Sequence, residues 1–266
     1  AAAGAAVIVH AANPPGYRNW RGLAIPMLAN TIAAARSVGA TILFPGTVYN
    51  YGPDEFPVVA EDAAQRPLTR KGAIRVEMER MLRDASREGV RVIVVRAGDF
   101  FGPGAANNWF SQGLVKPGAP LNRVTYPGPQ DIGHSWAYLP DVADVIARLT
   151  VLRAGFAAFE EFHFEGHWLP QGGAMAEAIC DVAGIPRSRI GGFPWWAMSL
   201  LSPLVPLFRE MREMRYLWLN PLRLDNRKLV ALLGAEPRTD LHDAVRDTLE
   251  SLGCLPDRAL GAAATS

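Results

Sequence analysis

Three short apolar runs constrain the fold of this chain more than any other feature. "AVIVHA" (6–11), "TILFP" (41–45) and "VRVIVVRA" (90–97) show no polar alternation. That is the pattern of parallel strands buried on both faces. Helical periodicity separates them. In "RGLAIPMLANTIAAARSVG" the residues Ile25, Leu28, Ile32 and Ala35 fall on one stripe, and Gly39 is placed to close the helix. A second helix is predicted from about Thr69 to Glu88, with Ile74, Met78, Met81 and Leu82 inward. Strands alternating with helices predict βαβ units, a parallel sheet, and function at the C-terminal ends of the strands.

The second half reads differently. Residues 102–133 are rich in Gly, Pro and Asn and predict an irregular excursion. A helix is expected over 140–152, with Asp141 as its cap, and a strand over 161–166. Helical patterns follow, and the tail 257–266 is expected to be disordered. The fold class is therefore α/β, with a mainly helical C-terminal lobe.

Composition removes several function classes. The formal net charge of the 266 residues is +1, which points to neither nucleic acid nor an anionic membrane surface. Two distant cysteines, Cys180 and Cys254, suit a reducing cytoplasm rather than a disulfide framework. No apolar stretch is long enough to span a membrane. The five histidines lack metal-ligand spacing. The apolar segment opened by Trp195 and Trp196 (195–208) reads as a helix roofing a pocket, or as a contact for a partner or membrane surface.

Five segments in order, "VIVHAA", "LFPGTVYNYGP", "KGAIRVEMERML", "VIVVRAGDFFGPG" and "HSWAYLPDVAD", carry a resemblance. The chain resembles the extended short-chain dehydrogenase/reductases, which include nucleotide-sugar epimerases and dehydratases and atypical relatives. The resemblance implies a Rossmann-like, doubly wound parallel sheet and NAD or NADP as cofactor. In such a fold "VIVHAA" is the fourth strand, so about two βαβ units, roughly 60–75 residues, are expected upstream. They would carry the Gly-rich turn that holds the pyrophosphate. The expectation is thus a truncated sheet, from a fragment or a late start of reading. The dinucleotide part is expected over 4–104 and 134–168, and the substrate lobe over 105–133 and 169–256.

The same resemblance assigns roles. Thr47, a few residues before Tyr51-Gly52, takes the place of the hydroxyl that bonds the reacting substrate oxygen; the plain alternative is a Thr bonded to its own loop. The family's catalytic Tyr and Lys, four apart at a helix start, are matched by Lys71 and Arg75 in "KGAIR". Arg75 can donate to ribose hydroxyls but cannot shuttle protons. Lys71 can serve as acid/base only if the neighbouring charge and partial desolvation lower its pKa. The alternative is a solvated pair in which Arg75 meets Glu79. Tyr49 and Tyr51 are further candidates. Cofactor contacts are expected from Ala11, Ala12 and Asn13, from Pro45 and Gly46, from Arg75, and from Ala97, Gly98 and Phe100. Substrate contacts are expected from Asp99, Asn107, Asn108, Trp109 and His134. A homodimer through helices 22–37 and 70–88 follows by the same analogy. A non-catalytic dinucleotide-binding sensor, scaffold or accessory subunit is the competing expectation.

Overall fold

The computed structural model describes residues 2–14, 19–105, 108–202 and 206–255. The expected tail, 257–266, lies outside the described residues. The first half runs β1 (Val7–Val9), α1 (Trp20–Val38), β2 (Thr41–Gly46), β3 (Val58–Val59), α2 (Arg70–Arg87), β4 (Val92–Arg96) and β5 (Asp99–Phe101). Then come β6 (Val124–Tyr126), β7 (His134–Tyr138), α3 (Leu139–Leu152), β8 (Phe159–His163) and β9 (His167–Leu169). The remainder is α4 (Ala174–Ala183), β10 (Ile190–Gly192), α5 (Trp195–Leu201), α6 (Pro206–Glu213), α7 (Tyr216–Leu219), β11 (Arg223–Leu224), α8 (Arg227–Leu233) and α9 (Leu241–Ser251).

The main sheet has the order β1-β2-β4-β8, and every neighbouring pair is parallel. Period-two alternation sends its side chains to two cores. Ile42, Phe44, Val92 and Val94 pack under α1 and α2 with Leu28, Ile74, Met78 and Leu82. Leu43, Ile93 and Val95 face the other way, against Val142, Val145 and Leu149 of α3 and Leu229 of α8. Helices on both faces explain why these strands read as continuous apolar runs.

A second sheet, β5-β7-β9, pairs β5 with β7 in parallel and β7 with β9 antiparallel. It carries a third and larger core that joins Tyr51, Phe101 and Trp136 to Met175, Ile179, Trp218 and Val245 of the helical half. The residues expected to be irregular hold β6 and a π-helical turn at Phe110–Leu114.

Asp141 departs from its expected role. It lies inside the first turn of α3, whose N-cap is Tyr138. Its carboxylate accepts from the Thr239 backbone N–H at 2.9 Å and the Thr239 hydroxyl at 2.7 Å. It ties the segment before α9 to the α/β part instead of closing its own helix. The predicted strand over 161–166 is shifted, to β8 and β9. Trp195 is half-buried and donates to the Pro127 carbonyl at 2.6 Å, while Trp196 is 76% exposed. No described helix is long and apolar enough to cross a membrane.

Candidate active site

Parallel strands end on one side of a sheet, so the loops after β1, β2 and β4 converge. They do so here around a cavity of about 390 Å³. The β1 loop contributes Ala11, Ala12 and Asn13, and the β2 loop Pro45 and Thr47. Gly98, Asp99 and Phe100 come from the end of β4, Arg75 from α2, and Asn108 and Trp109 from the excursion. Eleven of the residues expected from sequence to touch cofactor or substrate thus surround one space. Asn107 lies outside the described residues. Gly46 and Ala97 are buried behind the wall. A Cβ at Gly98 would stand 2.4 Å from the Ser135 carbonyl oxygen, so only glycine permits this approach of β7.

Lys71 and Arg75 ride on adjacent turns of α2 but open on different spaces. Thr69 caps the helix by accepting from the Gly72 backbone N–H at 3.0 Å. Arg75 lines the main cavity, with its guanidinium 5.3 Å from the Trp20 ring centroid and 5.3 Å from that of Phe44. Lys71 is buried, not solvated, and lines a small adjoining space with Asn108, Trp109, Gln112, Met211 and Met214. Asn108 and Trp109 form the partition, since both border both spaces. The Glu79 carboxylate, which the sequence offered to Arg75, accepts from Arg96 at 2.7 Å and from Gln65 at 2.6 Å.

Asp99 forms part of the cavity wall, and its Oδ2 lies 2.8 Å from His134 Nε2. His134 is absent from that wall. Its ring stacks on Trp218 with centroids 4.1 Å apart and planes 7° from parallel. The imidazole therefore holds the carboxylate from behind.

Under the cavity lies a polar network that sequence reasoning missed. Arg96, fully buried, donates to the Thr47 carbonyl at 2.6 Å and to Glu161 at 2.5 Å, besides Glu79. The Thr47 hydroxyl donates to Asn50 Oδ1 at 3.4 Å, and Asn50 donates on to Gln65 at 3.0 Å. Burial pushes the Glu161 carboxyl up, but Arg96 and then His163 outweigh it and hold the group at about 2. Burial lifts the Tyr51 phenol well above its ordinary range, against the opposing pull of Arg96. Tyr51 packs beneath Arg96, whose guanidinium is 5.0 Å from the ring centroid, whereas Tyr49 reaches the cavity wall. The signal available in sequence was a charged residue closing an apolar strand, and a carboxylate at helical spacing among Met78 and Leu82.

His10 and Trp20 also line the cavity and were not singled out from sequence. Burial first, and the Arg75 charge second, lower the His10 pKa. The donors of Arg75, Asn13 and Asn108 and the hydroxyl oxygen of Thr47, with the apolar wall of Leu139, Val142 and Ile146, fit the ribose and nicotinamide half of a dinucleotide. His10 Nε2 adds a buried ring nitrogen without a hydrogen-bond partner among the described residues. Among the described residues, no group of three or more potential metal ligands comes together.

Comparison with known proteins bears on the family and the fold. The model of the NAD dependent epimerase/dehydratase family matches residues 2–156. Similar solved structures include a UDP-galactose 4-epimerase at 19% identity and a TM-score of 0.64, covering 93% of this chain and 77% of that one. RMD from Pseudomonas aeruginosa, complexed with NADPH, gives 18% identity and a TM-score of 0.67, with coverages of 93% and 81%. A UDP-glucuronic acid 4-epimerase from Bacillus cereus, in complex with NAD, gives 14% and 0.68, with coverages of 94% and 75%. No curated protein matches the sequence.

Proposed function

The chain belongs to the NAD dependent epimerase/dehydratase family, and from that membership we propose that it binds NAD or NADP and acts on a sugar-nucleotide or a small carbonyl or hydroxyl substrate. The observation that carries this reading is the cavity of about 390 Å³ at the strand ends, which gathers Thr47, Arg75 and Asp99. The neighbours described as bound to NAD or NADPH support the cofactor class. Residues 4–104 and 134–168 take the dinucleotide, and 105–133 and 169–256 the substrate.

When bound, a nicotinamide dinucleotide supplies hydride transfer. The protein's part is binding and orientation. Arg75 donates hydrogen bonds to hydroxyls, and its charge is permanent, so it moves no proton. The Thr47 hydroxyl bonds the reacting substrate oxygen, on a loop that Arg96 anchors by the Thr47 carbonyl. Asp99, held by His134, binds a substrate hydroxyl. Lys71 stands in the acid/base slot, and serves there when substrate extends past Asn108 and Trp109 into the adjoining space that Lys71 lines.

The second reading, a non-catalytic dinucleotide binder, is favoured by one observation. Lys71 lines the adjoining space rather than the main cavity. The two readings part in one experiment, in which nicotinamide absorbance is followed while sugar-nucleotides and small carbonyls are screened. Turnover that Lys71→Met reduces at least tenfold supports the enzyme with Lys71 as acid/base. Binding of NADH or NADPH with no turnover of any substrate supports the binder. A cytoplasmic homodimer through α1 and α2 completes the proposal, and a monomer mass by light scattering would remove the dimer.

A further inference from the structure

His10 follows β1 in the cavity wall, and its two ring nitrogens have different surroundings. Nδ1 lies 2.8 Å from Thr31 Oγ1, and the Thr31 hydroxyl donates to the Met27 carbonyl at 3.2 Å. A hydroxyl has one proton to give. With that proton on Met27, the Thr31 oxygen accepts and Nδ1 carries the imidazole hydrogen. Nε2 is then a bare lone pair, buried and without a hydrogen-bond partner among the described residues. Phe44 lies against the ring, with centroids 5.9 Å apart and planes 22° from parallel. The same Phe44 ring carries the Arg75 guanidinium on it at 5.3 Å. One aromatic side chain therefore supports an acceptor and a multiple donor in the same wall.

We propose that His10 Nε2 and Arg75 together bind a vicinal diol of the ligand, His10 accepting a hydrogen bond from one hydroxyl and Arg75 donating one to the next. A lone acceptor or a lone donor would suit many groups. The pair suits adjacent hydroxyls, each of which can both give and receive. A buried acceptor left unmade is costly, and a ligand hydroxyl removes that cost. The Arg75 charge favours the lone pair over a second ring proton at Nε2. The inference rests on the reading of the cavity as a dinucleotide and substrate site. A ribose and a sugar substrate offer the same diol.

The test titrates the chain with NADH, and then with UDP-glucose in the presence of NADH, by calorimetry. His10→Phe keeps the ring and its stacking on Phe44 but removes the acceptor, and should weaken binding about three- to tenfold. Weakening towards NADH identifies a ribose of the dinucleotide as the diol, and weakening towards UDP-glucose alone places the diol in the sugar-nucleotide. His10→Gln offers an amide oxygen that does not titrate. Wild-type affinity should fall on acidification, when a proton on Nε2 removes the acceptor and places a second cation beside Arg75; His10→Gln should stay flat. Arg75 from α2 is the charged group acting on the ring, while Thr31 of α1 and Phe44 of β2 are uncharged. Unchanged affinity for both ligands in His10→Phe overturns the inference and leaves the proposed function standing. Wild-type protein that binds neither ligand overturns both. If His10→Phe does not fold, the pH profiles of wild type and His10→Gln decide, and identical profiles overturn the inference.

Discussion

Arg96 keeps a full charge where none of its side chain meets water. Two carboxylates and a carbonyl compensate it, from α2, β8 and the loop after β2. Removing one partner of such a group leaves the others as uncompensated buried charge, at a cost of about 3–5 kcal/mol. Arg96→Met should therefore lower the unfolding free energy by about that amount in a urea titration. A loss below 1 kcal/mol would mean that Glu79 and Glu161 find other partners. The acid limb has a definite sign. Glu161 titrates at about 2 in the folded chain, below its ordinary 4.5, so its contribution is complete above the ordinary value. That contribution is lost as pH falls from about 4.5 toward 2. Glu161→Gln should flatten the stability profile over that window, as read by thermal melts at stepped pH. His10 and Arg96 are visible in the sequence as letters but not as functions. Their partners lie 17 to 65 residues away along the chain.

The element that matters most is α2. The apolar spacing of Ile74, Met78 and Leu82 was enough to place it, and Thr69 caps it where the sequence starts it. Its docking is set by one residue without a side chain. A Cβ at Gly72 would stand 2.2 Å from the Tyr49 carbonyl oxygen and 2.8 Å from Pro67 Cβ. Backbone cannot swing aside as a flexible side chain does, so Gly72→Ala must shift the first turn of the helix. The expected cost is about 1–3 kcal/mol. Lys71 lies beside that glycine and Arg75 one turn on, so NADH affinity should fall with the melting temperature. A Gly72→Ala variant that melts and binds like wild type would show that the turn relaxes freely. The helical period places Lys71 and Arg75 on neighbouring turns. That they face different spaces depends on Asn108 and Trp109, which arrive from a segment that reads as irregular.

At the scale of the molecule, the aromatic core at the joint decides cooperativity. Trp218 lies against Trp109, Tyr126, His134 and Trp136, so one side chain of the helical half seals against β6 and β7. Trp218→Ala should cost about 3–5 kcal/mol and shift one common unfolding transition. A second, unshifted transition in calorimetry would show that the two halves melt separately. The sequence by itself determined the parallel sheet, the helices on its two faces, and the end of the sheet where the cavity opens. Those features follow from local periodicity, because a strand buried on both faces and an amphipathic helix each record their surroundings within a few residues. Only the tertiary structure decided which polar groups share a space. Asp99 meets His134, Arg75 stands beside His10, and Asp141 turns to Thr239 because long-range packing brings them together. The energy of each such contact depends on burial, and a contact between distant residues has no period for the chain to display.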